Sequence, residues 1–143
     1  GYTFHDRLPD SNEKIGEVLL TPTCIYVKEI LELMKKVNVK GVAHVTGGGL
    51  RKVRRMSKDV CFSLEEPFEP HEIFKVIQRL GNISDEEMYQ TFNMGMGMAI
   101  VVDEEEKEEA LAILKKYSPM EAKIVGKVKE GKGVEVPSLG LRY

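Results

Sequence analysis

Apolar residues recur in two spacings along the chain, and together they predict helices alternating with strands. Three- and four-residue spacing is typical of an amphipathic helix, whereas short continuous apolar runs between turn residues are typical of buried strands. Pro67, Pro70 and Gly81 mark breaks between segments. The predicted helices are 21–37, 50–56, 71–80, 84–91 and 103–117, and the predicted strands are 41–46, 60–64, 99–102, 122–128 and 134–136.

The helix predicted over 21–37 has recognisable signals at both ends. Thr21 can cap a helix, and Pro22 is tolerated in the first turn because that N–H needs no partner. Asn38 is expected to end the helix. Its expected core face consists of Val27, Ile30, Leu31, Met34 and Val37. Its expected solvated face consists of Lys28, Glu29, Glu32, Lys35 and Lys36.

Two later helices carry clear local signals as well. Ser84 followed three residues later by Glu87 is a capping-box pattern. The helix over 103–117 begins with acidic residues and ends with Lys115 and Lys116, an arrangement that the helix dipole favours. Both helices are therefore predicted with defined starts.

The order of elements predicts the fold class. Helices interleave with strands, and 130–133 reads as a hairpin turn that returns 134–136 as an edge strand. We expect one mixed β-sheet covered by helices, in an α+β or α/β sandwich. Residues 1–20 mix polar and turn-forming side chains and predict a loop or short helical segment. Residues 21–143 are then one domain.

Composition narrows the class of protein. Of 143 residues, 42% are apolar and 31% charged, which is typical of a globular domain. A net charge of −2 argues against nucleic acid or membrane partners. Cys24 and Cys61 lack metal-type spacing, and buried thiols in a reducing compartment are favoured over the alternative of a disulfide between them. The chain starts at Gly1 without Met, which suggests processing or a piece of a longer polypeptide.

The stretch Gly41–Leu50 is the main candidate for a ligand site. An apolar strand leads into Gly47, Gly48 and Gly49, and a segment that can be helical follows. Glycine lets a ligand approach the backbone closely, and unpaired N–H groups at a helix start favour an anion. A glycine-rich tight turn without a ligand is the alternative. The basic run 51–58 is likewise either a phosphate-binding helix start or a solvated helix face.

Standard catalytic motifs are missing from the sequence. The glycines fit neither a dinucleotide fingerprint nor a P-loop. His5, His44 and His71 are far apart without metal-ligand spacing, and no nucleophile-elbow pattern surrounds a Ser or Cys. His44 is either a core histidine or, because it precedes the glycines, a site residue. Asn93 lies between a helix and a strand beside two glycines. Alternating Met94, Met96 and Met98 are expected to pack in the core.

Three segments in this order resemble the C-terminal half of aminoimidazole ribonucleotide synthetase, the phosphoribosylformylglycinamidine cyclo-ligase family. The segments are Leu20-Thr-Pro-Thr-Cys-Ile-Tyr-Val-Lys28, Ala43-His-Val-Thr-Gly-Gly-Gly-Leu50 and Gly81-Asn-Ile to Glu87-Met-Tyr-Gln-Thr-Phe-Asn-Met-Gly-Met-Gly-Met98. The His-x-Thr-Gly-Gly-Gly pattern distinguishes this family from its relatives, which include formylglycinamidine ribonucleotide synthetase, selenophosphate synthetase, thiamine-monophosphate kinase and a hydrogenase maturation factor. All share a two-domain architecture.

The resemblance implies the fifth step of purine synthesis. ATP activates the formyl oxygen of formylglycinamidine ribonucleotide, a substrate nitrogen attacks that carbon, and phosphate leaves as the imidazole ring closes. It implies ATP and Mg²⁺ bound mainly by an N-terminal domain absent from this chain, no metal site here, and a cytoplasmic homodimer at full length. His44 is then the catalytic candidate. The substrate- and phosphate-binding candidates are Thr46, Gly47, Gly48, Gly49, Asn93 and Gly95.

The chain departs from the family pattern at two places. Cys24 stands where the family usually has Arg, and Lys52–Met56 stands where it usually reads Glu-Asn-Ile-Pro-Arg. Arg54 or Arg55 is hypothesised to substitute for the lost groups. Residues 1–20 are expected to derive from the domain linker, and this chain alone is expected not to hydrolyse ATP or close the ring. The alternatives are another ATP-dependent enzyme of the superfamily and a stand-alone ligand-binding or interaction module.

Overall fold

Five α-helices and six β-strands alternate along the chain in the computed structural model, which describes residues 1–143. The helices are α1 (Ile15–Leu19), α2 (Val27–Met34), α3 (Glu72–Gly81), α4 (Asp85–Thr91) and α5 (Lys107–Tyr117). The strands are β1 (Gly41–His44), β2 (Val60–Leu64), β3 (Met98–Val101), β4 (Gly126–Glu130), β5 (Gly133–Val136) and β6 (Leu141–Arg142). Short 3₁₀ helices occupy Gly49–Arg55, Glu104–Glu106 and Pro137–Leu139.

The strands form two sheets, and one of them is mixed. β1 and β3 pair antiparallel, with His44 opposite Met98. The other four strands lie in the order β4-β2-β5-β6, where β2 is antiparallel to β4 and parallel to β5. The prediction of a mixed sheet combined with helices is therefore confirmed. The expectation that all strands join one sheet is wrong, because β1 and β3 pair only with each other.

The connection between β4 and β5 is not the predicted hairpin. β2 lies between these two strands, so the chain crosses the start of β2 through Gly131, whose φ is +121°. β5 is consequently an interior strand, and the two edge strands of this sheet are β4 and β6. β6, which no sequence signal predicted, pairs with β5 on the opposite side. Short apolar runs located β2 and β5 along the chain, whereas the strand predicted over 122–128 occupies 126–130, and no run identified the neighbours of a strand.

The largest core lies between the two sheets and the elements that connect them. It contains 13 buried residues, among them Phe62 and Leu64 of β2, Val134 of β5 and Met88 of α4. A second core joins α2 to α5 around Leu33. Burial of this kind contributes about 1.5–3 kcal/mol for each large apolar side chain. The cores thus hold β1 and β3 between α2 and α5 on one side and the four-stranded sheet on the other.

Residues 1–20 are packed onto α3. Leu8 and Ile15 are buried against Val76, and the Glu72 carboxylate accepts hydrogen bonds from the backbone N–H groups of Asp10 and Ser11 at 2.7 and 2.9 Å. The short helix α1 fits the predicted loop or short helical segment. The derivation of residues 1–20 from a linker stays a prediction.

The helix α2 differs from its prediction in its start, its end and its buried face. It begins at Val27 and ends at Met34, so Thr21, Pro22 and the predicted stop at Asn38 lie outside it. Val27, Leu31 and Met34 are exposed, while Leu33 is buried in the core with α5. Glu29 is also buried, although it was expected in solvent, and its Oε2 has no hydrogen-bond partner. Packing against α5 buries the side of α2 that carries Leu33 and leaves the more apolar side exposed.

The other helices follow the sequence closely. Ser84 Oγ accepts the Glu87 backbone N–H at 3.3 Å, which confirms the predicted cap of α4. α3 ends at Gly81, and the left-handed residue that follows its last turn is Asn82, with a φ of +48°. The acidic start of the last helix is a 3₁₀ turn, and α5 itself begins at Lys107. None of these helices is both long and apolar enough to cross a membrane.

Candidate functional site

The glycine turn, residues 46–49, packs against the end of α4. A Cβ added to Gly49 would lie 2.0 Å from the carbonyl oxygen of Tyr89 and 2.8 Å from that of Phe92. The backbone N–H of Gly48 donates to the carbonyl of Thr91 at 3.2 Å. Gly49 has a φ of +55°, which ordinary side chains rarely adopt. The structure therefore requires glycine at position 49 in order to bring the turn to α4.

Gly47 has no such structural requirement. A Cβ added there would meet no atom within 4 Å, and its φ lies outside the left-handed region. The side of the turn at Gly47 therefore faces open space. Folding alone does not explain why glycine occupies this position, whereas close approach of a ligand to the backbone does. Thr46, also exposed, precedes it.

Lys52 lies directly beside the glycine turn. Its Nζ is 3.5 Å from the hydroxyl of Thr46, and its Cε would be 3.1 Å from a Cβ on Gly48. No ion pair of the structure uses a residue of the basic run 51–58. Leu50 and Val53 bury the opposite side of this segment. A cation without an acidic partner therefore stands over the turn.

The segment after the turn is a 3₁₀ helix of seven residues, Gly49–Arg55, and not an α-helix. So short an element supplies little of the aligned dipole on which the predicted anion site partly relied. Any anion held here would depend on Lys52 and on the open backbone at Gly47. Arg54 and Arg55 are exposed.

The Asn93 loop, residues 92–97, closes the same end of β1 and β3. Asn93 Oδ1 accepts the backbone N–H of Gly95 at 3.1 Å. The N–H of Val45 donates to the carbonyl of Gly97 at 2.9 Å, which extends the β1–β3 pairing into the loop. The side-chain oxygen of Asn93 is thus used within the loop, and its NH₂ group remains to donate to a ligand. Met94 and Met96 are buried in the main core, as expected.

His44 is an exposed residue of β1 and not a core histidine. Its imidazole stands edge-on to the ring of Tyr26, with 5.9 Å between the ring centroids. Tyr26 directly precedes α2, and a Cβ added to Gly97 would lie 1.9 Å from its hydroxyl. Burial, followed by the neighbouring Cys24 thiol, raises the pKa of Tyr26. Tyr26 therefore stays a neutral phenol beside His44.

The structure brings most of the predicted site residues to one end of the β1–β3 pair. The glycine turn contacts the residues just before Asn93, and the Asn93 loop pairs with the strand that carries His44. Sequence reasoning missed Tyr26, although it stands in a segment that resembles the cyclo-ligases. It also gave Lys52 no specific role. Only the fold places these two side chains beside His44 and the turn.

A cleft of about 1280 Å³ opens next to this end, between β3 and α5 on one side and β2 and β4 on the other. Tyr26, Gly95 and Gly97 lie on its wall, whereas His44 and the glycine turn do not. The structure contains no group of three or more His, Cys, Asp or Glu side chains placed to hold a metal ion. Such a group would be needed for a metal ion held by protein side chains alone, whereas Mg²⁺ held by one or two carboxylates and by substrate phosphates does not need it.

Comparison with known proteins identifies the family. The model of the family described as AIR synthase related protein, C-terminal domain, matches residues 3–137. The chain belongs to this family. Among solved structures, Escherichia coli HypE, a hydrogenase maturation protein, superposes with a TM-score of 0.62 at 24% identity over 97% of this chain and 46% of HypE. At that identity the likeness supports the fold of the domain alone.

Two relatives of this domain have the same name. Phosphoribosylformylglycinamidine cyclo-ligase of Methanopyrus kandleri is 50% identical over 94% of this chain and 38% of its own length. The protein of the same name from Thermoplasma acidophilum is 42% identical over 94% of this chain and 39% of its own. The domain thus spans well under half of the relatives that it matches.

Proposed function

We propose that this domain is the substrate-binding C-terminal half of an ATP-dependent cyclo-ligase that converts formylglycinamidine ribonucleotide to aminoimidazole ribonucleotide in the cytoplasm. The observation that carries the proposal is the 50% identity to a relative of that name over 94% of the chain. The arrangement of the glycine turn, Lys52 and His44 supports it, because a phosphorylated substrate needs an anion site beside groups that can transfer protons.

In this proposal the glycine turn and Lys52 hold a phosphate group. The open backbone at Gly47 lets the phosphate approach closely, and Lys52 supplies the charge. The NH₂ group of Asn93 donates to the same ligand from the neighbouring loop. These contacts fix the substrate, so that its nitrogen lies close to the formyl carbon that it attacks.

His44 is the proposed catalytic residue. The amidine nitrogen loses a proton as it attacks the activated formyl carbon, and an imidazole can accept that proton. ATP supplies the phosphoryl group that makes the formyl oxygen a leaving group. The remainder of the complete enzyme is proposed to bind ATP and Mg²⁺ and to form the homodimer, because this chain spans only 38% of a cyclo-ligase relative and its glycines fit no nucleotide motif.

Two samples test the proposal. The complete enzyme and this chain are each incubated with formylglycinamidine ribonucleotide, ATP and Mg²⁺, and both ADP release and ring closure are followed. We expect both products from the complete enzyme and neither from this chain alone. Calorimetric titration of formylglycinamidine ribonucleotide into each sample separates binding from catalysis.

The opposite results are equally informative. A complete enzyme that binds the substrate but does not close the ring would contradict the proposed reaction. ADP release by this chain alone would contradict the assignment of ATP binding to the rest of the enzyme. A His44→Ala variant that retains the full kcat would remove His44 from the mechanism.

A further inference from the structure

We propose that Tyr26 is a positioning residue that holds the His44 imidazole for ring closure, an inference that rests on the proposed function. Tyr26 contacts two parts of the site at once. Its hydroxyl lies over the backbone of Gly97, and its ring packs edge-on against the His44 imidazole. A group that touches both can fix one relative to the other.

The contact with Gly97 is the tighter of the two. A Cβ on Gly97 would lie 1.9 Å from Tyr26 Oη and 3.0 Å from Tyr26 Cζ. Real side-chain carbons do not approach other atoms so closely, so any residue other than glycine would displace the tyrosine ring. The φ of Gly97 is not in the left-handed region. Glycine is needed at position 97 for the space that Tyr26 fills and not for backbone conformation.

The strand pairing transmits this contact to His44. The carbonyl of Gly97 accepts the N–H of Val45, the residue after His44, and Met98 lies opposite His44 itself. The backbone beneath Tyr26 and the backbone beneath His44 are therefore parts of one ladder. With its hydroxyl over that ladder, the Tyr26 ring has a fixed edge against which the imidazole packs. Edge-to-face aromatic contacts of this kind contribute specific geometry in addition to burial.

His44 has no other restraint of comparable geometry. Its side chain is exposed, and no hydrogen bond in the structure fixes the imidazole. An exposed side chain samples several rotamers, and only some of them direct a ring nitrogen towards a substrate beside the glycine turn. Misplacing a catalytic group by about 1 Å can cost up to about 10²-fold in rate. Restricting the rotamers of the His44 side chain therefore increases the rate of ring closure.

Four variants of the complete enzyme test the role of Tyr26. Tyr26→Leu removes the ring edge and should lower kcat about tenfold with little change in KM. Tyr26→Phe keeps the ring edge and loses the hydroxyl over Gly97, so its kcat should lie between those of Tyr26→Leu and the wild type. Gly97→Ala should lower kcat by at least about tenfold because it displaces the ring. Adding Tyr26→Phe to Gly97→Ala should recover part of that loss, because the closest contact disappears with Oη.

A double-mutant cycle distinguishes positioning from a merely structural effect. In a His44→Ala background, Tyr26→Leu should change kcat less than about twofold, because the group that it orients is gone. Circular dichroism checks that each variant is folded. Equal losses in both backgrounds, or no loss in the wild-type background, would overturn the role of Tyr26 while leaving the proposed function intact. A wild-type enzyme that does not close the ring would overturn both.

Discussion

Gly49 lies directly against the carbonyl oxygen of Tyr89, so closely that a Cβ at position 49 would be 2.0 Å from it. This single contact joins the glycine turn to α4 and, through Phe92, to the loop that carries Asn93. The two segments that resemble the cyclo-ligases most specifically are thus in contact, although they are far apart in sequence. Each supports the position of the other.

Gly49→Ala should destabilise the domain. The added methyl group meets backbone atoms, which cannot move aside as a flexible side chain can, and the left-handed φ adds strain. The two effects together amount to about 2–5 kcal/mol. Urea denaturation of the complete enzyme should show a lower midpoint for this variant than for Gly47→Ala, its matched control in the same turn. Equal midpoints would show that the turn moves away from α4 at no cost.

Gly47→Ala should impair substrate binding without changing stability. No atom lies within 4 Å of the added methyl group, so the thermal midpoint should stay at the wild-type value. If a substrate approaches the backbone there, the methyl group should raise KM about tenfold or more by excluding it. Steady-state kinetics of the complete enzyme measures this change. An unchanged KM would place the ligand on another surface.

Lys52→Met should weaken substrate binding more than the double substitution Arg54→Ala/Arg55→Ala. Only Lys52 contacts the glycine turn, whereas the two arginines are exposed. Loss of a charge-assisted hydrogen bond should raise KM about tenfold, corresponding to roughly 1.5 kcal/mol. The effect should shrink at high salt, where charge attraction is screened. A larger effect of the arginine pair would instead support the hypothesis that they replace the missing family residues.

The carboxylate of Glu135 should make stability depend on pH. Hydrogen bonds from the Lys129 ammonium and then from the Ser63 hydroxyl, the latter 2.8 Å long, hold the pKa of Glu135 below its ordinary value. Because the folded pKa is the lower one, this stabilisation is present above the unfolded pKa of about 4.3. It is lost as the pH falls through the lowered folded value.

Thermal midpoints between pH 7 and pH 3 test this dependence. The wild type should exceed Glu135→Gln by a constant amount at the upper end of the range, and the difference should narrow below about pH 4.3. In a Lys129→Met background the difference should be smaller and should finish narrowing at a higher pH, because loss of the first hydrogen bond brings the pKa of folded Glu135 closer to its unfolded value. A difference that is the same at every pH would show that Glu135 has equal proton affinity in both states.

Local sequence signals predicted the bounds of those elements whose ends are set by residues close by in the sequence. The Ser84 cap is confirmed, and the apolar run of β2 has the predicted bounds of 60–64. Helical spacing favoured the side of α2 that carries Val27, Leu31 and Met34, and these residues are exposed. Contact with α5 decided for the Leu33 side. That choice depends on tertiary packing, which no local pattern contains.

In the candidate site, too, some residues could be recognised from the sequence and others only from tertiary contacts. The glycines and Asn93 were recognisable as unusual residues, since each departs from what a strand or helix requires. Tyr26 lay within the helix predicted over 21–37 and had no signal of its own, and Lys52 looked like one of several solvated cations. Their significance comes from distances to Gly97 and Thr46, which arise only when distant segments meet. The pairing of β2 with both β4 and β5 was hidden for the same reason.

The position of β2 also has a consequence for how the domain assembles. Both of its neighbours, β4 and β5, come near the end of the chain, and β1 likewise pairs with β3, which lies far along the sequence. Pairings between such distant segments form slowly, because the long intervening loop must first be closed. The part of the site that needs both strands, where Tyr26 lies over Gly97 beside His44, is therefore complete only after β3 has paired with β1.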